Sequence, residues 1–149
     1  MISSFAGDYR FLSNFWMCDV TVGGITYPST EHAYQALKAV RKEDHFLVVM
    51  QVTPHAAKRI GATIELRPDW DVVKIPIMRS IVSAKFEQHP DLMQKLLDTK
   101  PHELVEGNTW KDTFWGQCPL GKGRNELGKI LMGIRDDISR SWDEIQIIP

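Results

Sequence analysis

The sequence predicts a helix-rich α+β domain with a small β-hairpin, and three observations point there. A Gly-Gly pair sits inside a run of β-formers, Asp19-Val20-Thr21-Val22-Gly23-Gly24-Ile25-Thr26-Tyr27, the local signature of a tight hairpin. Apolar residues recur at three- and four-residue steps in several later segments, as amphipathic helices require. Strands and helices do not follow the regular βαβα order of a parallel sheet. The chain has 149 residues, 43% of them hydrophobic, and a chain of that size buries roughly 68–70% of its unfolded surface around one core. A single domain over 1–149 is therefore expected.

After the hairpin, which Pro28 is expected to end, Ser29 or Thr30 is suited to cap a helix over Glu31 to Val40. A second helix is expected from about Glu43 to Gln51. Thr53-Pro54 is a cap followed by proline at the first helical position, and Gly61 is suited to end that short helix. The spacing of Trp70, Val73, Ile77, Ile81 and Ala84 predicts a long amphipathic helix over Pro68 to His89, kinked near Pro76. Pro90-Asp91 opens a short helix bearing Leu92, Leu96 and Leu97, and His102 to Glu106 reads as a weak strand. A polar loop rich in aromatic residues follows. From about Asn125, the positions Leu127, Ile130, Leu131, Ile134 and Ile138 define a last amphipathic helix.

Composition excludes several functions. Eighteen Lys+Arg against 19 Asp+Glu give a net charge of −1, so no global basic field exists to hold long nucleic acid through many phosphate contacts. Cys18 and Cys118 stand in no C-x-x-C arrangement, which fits reduced thiols and neither a disulfide framework nor a cysteine zinc site. The start, Met1-Ile2-Ser3-Ser4-Phe5, lacks a signal-peptide pattern, and the longest apolar run, Phe46 to Met50, is too short to span a membrane. A cytoplasmic location without membrane attachment is expected.

The run Gly116-Gln117-Cys118-Pro119-Leu120-Gly121-Lys122-Gly123 nearly satisfies G-x-x-x-x-G-K-[ST] but fails where the chemistry needs it. Gly123 replaces the metal-binding hydroxyl, and Pro119 has no amide to donate. Gly121, Lys122, Gly123 and Arg124 nevertheless precede a helix, where free N–H groups and two cations suit a phosphate, or equally a solvated turn. The histidines at 32, 45, 55, 89 and 102 show no metal-ligand spacing, so no metal site is expected. Cys118 has no base near it in sequence and reads as a structural thiol. Phe11, Phe15, Trp16, Trp110, Phe114 and Trp115 fall in otherwise polar segments, a pattern suited to stacking a planar base. Glu31 and Asp112 are the acidic groups available beside them.

Arg10-Phe11-Leu12-Ser13-Asn14-Phe15, followed by Tyr27-Pro28-Ser29-Thr30-Glu31-His32-Ala33-Tyr34-Gln35-Ala36-Leu37-Lys38, resembles the YbiA-like family, also called the NADAR domain. Later blocks agree in order: Pro68-Asp69-Trp70, Val73-Lys74, Met78-Arg79, Ala84-Lys85-Phe86, Asp112-Thr113-Phe114-Trp115-Gly116, Gly121 to Gly128, and Leu131-Met132. The resemblance implies a helix-rich YbiA-like α+β fold and hydrolysis of an N-glycosidic bond joining a ribosyl phosphate to a nitrogen, without a metal or other cofactor. It implies as substrate either an early riboflavin-pathway intermediate or ADP-ribose linked to guanine, including guanine in modified DNA or RNA. It also places catalytic roles on Glu31, Trp70 and Asp112, with Trp115 in the same site.

Under that resemblance, cleavage develops positive charge at the anomeric carbon and negative charge on the leaving nitrogen. One carboxylate then stabilises the cation or activates water, a role assigned to Glu31, while Asp112 positions the ribose or transfers a proton. Trp70 and Trp115 frame the base. Arg10, Lys38, Lys122 and Arg124 are candidate phosphate contacts, and Phe11, Ser13, Asn14 and Asn125 complete the expected substrate-binding set. Lys38 has a second possible role, because two helical turns after Glu31 its amine is placed to attack an opened ribose aldehyde as a Schiff base. The alternatives are a module that binds ADP-ribose or a related nucleotide without cleaving it, and an interaction domain whose tryptophans bury a partner surface. Oligomeric state is not encoded in any of these motifs.

Overall fold

Two glycines turn the chain back on itself to start the first of two structural units. In the computed structural model, which describes residues 1–148, strands β1 (Met17–Val22) and β2 (Ile25–Ser29) pair antiparallel, with Val20 opposite Tyr27 and Val22 opposite Ile25. Gly23 and Gly24 carry φ of +59° and +80°, the left-handed pair that a two-residue hairpin turn demands. The hairpin runs through Pro28 to Ser29 and does not end at the proline. Pro28 is tolerated because it lies on an edge strand opposite the register irregularity between Met17 and Val20, where the regular pairing is already interrupted.

Helix α1 (Thr30–Leu37) begins where the Ser29 hydroxyl accepts the His32 N–H. It ends at Leu37, short of the expected Val40. The Lys38 carbonyl accepts the Arg67 N–H at 2.8 Å and the Val40 N–H donates to Glu65, so a long-range pairing takes the groups that another helical turn would have used. Helices α2 (Lys42–Val49) and α3 (Pro54–Gly61) follow, the latter capped by the Thr53 hydroxyl with Pro54 in its first turn.

Helix α4 (Trp70–Gln88) passes through Pro76. Of its expected stripe, Trp70 and Ile81 are buried, Val73, Ile77 and Ala84 are half-buried, and Met78, Val82, Lys85 and Phe86 join the buried set. The buried arc is wider than one stripe because α4 packs on both α1 and β1. The Gln88 side chain fastens the helix to the hairpin by accepting the Thr21 N–H and donating to the Thr21 carbonyl. Helix α1 packs against α2, α3, α4 and both strands, and is the centre of this unit, Asn14–Gln88.

The second unit comprises Met1–Ser13 and His89–Pro149. It contains a 3-10 helix at Gly7–Leu12 that no sequence signal announces, α5 (Pro90–Asp98) and α6 (Glu126–Gln146), the last two packed together. Leu92 and Leu96 of α5 and Leu127, Ile130, Leu131 and Ile134 of α6 are buried, whereas Leu97 and Ile138 are half-buried. The expected strand at 102–106 is reduced to one parallel bridge, Ile2 opposite Leu104. The Ile2 N–H donates to Glu103 and the Val105 N–H to Ile2. The chain start supplies one residue of pairing there and no ladder, and Asn125 takes the Leu104 carbonyl and the Glu106 N–H with its side chain. Among the described residues, no helix is long and apolar enough to cross a membrane.

Candidate active site

The residues singled out by sequence divide between the two units. In the first, Glu31 stands on the opening turn of α1 with only 7% of its surface exposed. Its N–H donates to the Asn14 carbonyl at 3.0 Å, and Thr30 Oγ1 donates to Asn14 Oδ1 at 2.9 Å. The Asn14 amide nitrogen is in turn 3.5 Å from Met78 Sδ. Asn14 is thus engaged at its amide oxygen, its amide nitrogen and its carbonyl in fixing the start of α1. Gln35, one turn after Glu31, donates from Nε2 to Glu31 Oε1 at 2.8 Å.

Lys38 is the C-cap residue of α1. Its Nζ lies 5.1 Å from the centre of the Tyr34 ring, and Tyr34 lies 5.3 Å from Trp70 with the rings tilted by 31°. Tyr34 therefore bridges the lysine and the tryptophan, and Trp70 is itself buried at the start of α4. Burial holds the Lys38 amine below the usual lysine range; the Glu31 charge pulls it back up, and Lys58 and Lys74 push it down again. A lysine so placed carries more neutral, nucleophilic amine at a given pH than a solvated one. Phe15 stacks edge-on against His55 at 4.7 Å, with Lys58 Nζ 5.9 Å from its ring.

In the second unit, Asp112 lies in a segment with neither helix nor strand. Its Oδ1 accepts the N–H groups of Phe114 at 3.2 Å and Trp115 at 2.9 Å, an Asx turn that shapes the loop around the carboxylate. Asn108, which is buried, brackets the same residue by accepting its N–H and donating to its carbonyl. Phe114 and Trp115 meet edge to face at 4.8 Å, and the Arg124 guanidinium lies 4.6 Å from the Phe114 ring.

The four N–H groups from Arg124 to Leu127, at the entry to α6, are all taken by loop carbonyls. The N–H groups of Arg124, Asn125, Glu126 and Leu127 donate to the carbonyls of Thr113, Gly116, Phe114 and Trp115. These four N–H groups are therefore not available to a phosphate, and Arg124 is already paired with Glu126 at 2.9 Å. Lys122 is exposed. Asn125 is buried at φ +52°, with its amide accepting the Glu106 N–H and donating to the Leu104 carbonyl, so its side chain holds the loop to the bridge residues.

Of the remaining candidates, Arg10 is exposed in the 3-10 helix while Phe11 beside it is buried with Lys95 Nζ 5.7 Å from its ring. Ser13 ends that helix, its N–H donating to the Arg10 carbonyl. The Cys118 thiol is held below the usual cysteine range chiefly by the N–H groups of Lys122 and Leu120, a perturbation that spacing did not reveal. His32 is fully buried between the Ser29 hydroxyl and the Gln51 carbonyl, and burial lowers its pKa. Among the described residues, no three His, Cys, Asp or Glu side chains gather as a metal site. Sequence reading overlooked Tyr34 and Gln35, although both stand at helical spacing from candidates, Tyr34 four before Lys38 and Gln35 four after Glu31.

Residues 4–139 match the NADAR domain family. The chain is 38% identical to N-glycosidase YbiA of Escherichia coli strain K12 over 138 residues, covering 91% of this chain and 86% of that one. An N-glycosidase of Nostoc punctiforme is 40% identical over 136 residues, 87% of this chain and 86% of that one. A riboflavin biosynthesis protein of Vibrio vulnificus is 40% identical over 135 residues, which is 88% of this chain but 36% of that longer protein. The NMR structure of E. coli YbiA superposes with a TM-score of 0.86 at 36% identity, over 96% of this chain and 86% of that one.

Proposed function

The chain belongs to the NADAR domain family, and from that membership we propose that it hydrolyses the N-glycosidic bond of a ribosyl phosphate, with early ribosylamino-pyrimidine phosphates of the riboflavin pathway as substrates. The observation that carries this reading is the 38% identity, along 91% of the chain, to a protein named as an N-glycosidase. The relative from Vibrio vulnificus, named for riboflavin biosynthesis, favours the pyrimidine substrate. ADP-ribose on guanine is the other ribosyl substrate to be tested.

Hydrolysis breaks the bond between the anomeric carbon and nitrogen. The bonding pair leaves with the nitrogen, which must gain a proton, while the anomeric carbon becomes electron-poor and takes an oxygen from water. A buried, oriented carboxylate stabilises that developing cation far better than a solvated one, because little reorganisation remains to be done as charge appears. Glu31 has those properties, and we assign it the role of stabilising the cation or accepting the proton of the attacking water. Asp112, with one oxygen committed to its own loop, takes ribose positioning or proton transfer to the leaving group. Trp70 supplies an apolar wall supported by Tyr34.

The test is release of free base and ribosyl phosphate by the wild-type protein and by Glu31→Gln. Each is incubated with a ribosylamino-pyrimidine 5′-phosphate and with guanine-linked ADP-ribose on an oligonucleotide. Release from the pyrimidine by the wild-type protein alone is the expected result. Release only from the guanine adduct changes the substrate, and release from neither removes the reading.

A further inference from the structure

Gln35 is buried to 4% exposure, and its two amide atoms have unequal surroundings. Nε2 donates to Glu31 Oε1 at 2.8 Å, while Oε1 is buried with no hydrogen-bond partner. A buried, unsatisfied carbonyl is costly, and proteins tolerate one where the rest of the group serves another end. The space for that oxygen comes from α3. A Cβ built on Gly61 would collide with Gln35 Oε1, with the Gln35 amide carbon close behind at 2.8 Å. Gly61 closes α3 against α1, and its lack of a side chain is what lets the Gln35 amide stand with its nitrogen toward Glu31.

We propose that Gln35, seated against Gly61, is a positioning residue that holds Glu31 as an oriented carboxylate for N-glycosidic bond cleavage. The inference rests on the catalytic role assigned to Glu31 above. A donor aimed at a carboxylate oxygen favours its ionised form, opposing the effect of burial. Against an ionised carboxylate, the opposite orientation would set two acceptors face to face. So oriented, the amide favours the ionised form of Glu31, the form that suits cation stabilisation or proton acceptance. An i,i+4 pair on one helix also fixes the carboxylate relative to the helix itself, so its aim does not depend on substrate arriving first.

The test is the pH dependence of kcat/KM for a ribosylamino-pyrimidine 5′-phosphate. Gln35→Leu is expected to lower kcat at least about 10-fold with KM changed little, and to move the acid limb upward by about one pH unit, because the ionised carboxylate has lost the Gln35 donor. Gln35→Glu keeps the shape. While protonated, the introduced carboxyl donates as the amide did; once ionised, it repels Glu31. This variant is expected to retain substantial activity at low pH and to lose it through an alkaline limb more than about one unit below that of the wild type, as a carboxylate pair sharing one proton behaves. Gly61→Ala favours the helix by propensity, yet is expected to lower kcat by displacing the amide.

A merely structural role would lower thermal stability or activity at every pH without moving either limb. If Glu31→Gln is inactive but both Gln35 variants keep the wild-type limbs, the inference is overturned and the catalytic assignment stands. Turnover by Glu31→Gln overturns the assignment and the inference together. Melting temperatures of all four variants separate either result from failure to fold.

Discussion

Glu31 stands on the first turn of a helix that packs on three others and on the hairpin, whereas Asp112 stands in a loop with no regular structure and is held by hydrogen bonds to its own neighbours. The two carboxylates are fixed by different physics. Glu31 is oriented by long-range packing and by a side chain one turn away, with Asn14 joining the start of α1 to α4 through Met78. Asp112 accepts two backbone N–H groups within three residues, so its geometry is largely local. Local turns survive changes elsewhere in the fold. A packed helix terminus instead transmits them, so each carboxylate should respond to a different kind of substitution.

The largest expected effect is at Glu31. Replacing it with Gln keeps shape and burial but removes the charge, and should lower kcat by roughly 10²–10⁴-fold, the usual range for a positioned acid or base. Circular dichroism and melting should be nearly unchanged. A comparable loss of melting temperature would mean that the residue serves the fold.

Asp112 sharpens the contrast because substitution can separate the turn it shapes from the role proposed for it. Asp112→Asn retains an oxygen for the Phe114 and Trp115 amides and should leave stability intact while lowering kcat by about 10²-fold. Asp112→Ala should match that loss of activity and also cost about 1 kcal/mol in chemical denaturation, through the lost turn. If Asn is fully active, the carboxylate is a loop brace and nothing more.

Lys38 comes next. Its depressed pKa favours an amine able to form a Schiff base with an opened ribose. Borohydride added during turnover should leave a ribosyl adduct on the wild-type protein, detected by mass spectrometry, and none on Lys38→Ala. Full activity of that variant together with the absence of an adduct on the wild type would end this route.

The smallest effect concerns Lys85, which α4 buries completely and whose pKa burial lowers to about 8 from 10.5. Between about pH 8 and 10.5 the folded protein has released this proton while the unfolded chain still holds it. Stability from this group therefore rises with pH across that window and is least below it. Unfolding free energies measured from pH 7 to pH 9.5 should show this rise in the wild type and lack it in Lys85→Met.

The parts of this contrast that were legible in sequence are those that depend on near neighbours. Gly23-Gly24 specified the hairpin turn, Thr53-Pro54 and Gly61 marked the bounds of α3, and the stripe from Leu127 to Ile134 gave the buried face of α6. Distant partners were not legible. The pairing of Lys38 with Arg67 shortened α1, and the single bridge of Ile2 to Leu104 replaced a strand. The amides leading into α6 were spent on loop carbonyls that no spacing rule identifies. Around Glu31, helical periodicity sufficed to bring Gln35 alongside, but its fit against Gly61 required the packing of α1 on α3.

The central claim is that a ribosyl phosphate is cleaved and not merely held, with Glu31 carrying the step. The most direct measurement combines calorimetric titration of a ribosylamino-pyrimidine 5′-phosphate into Glu31→Gln with quantitation of free base and ribosyl phosphate from the same substrate and the wild-type protein. The expected result is saturable binding without release in the variant, and equimolar release of both products over many turnovers in the wild type. Saturable binding by the wild type with no product would contradict the account and make the protein a nucleotide-binding module.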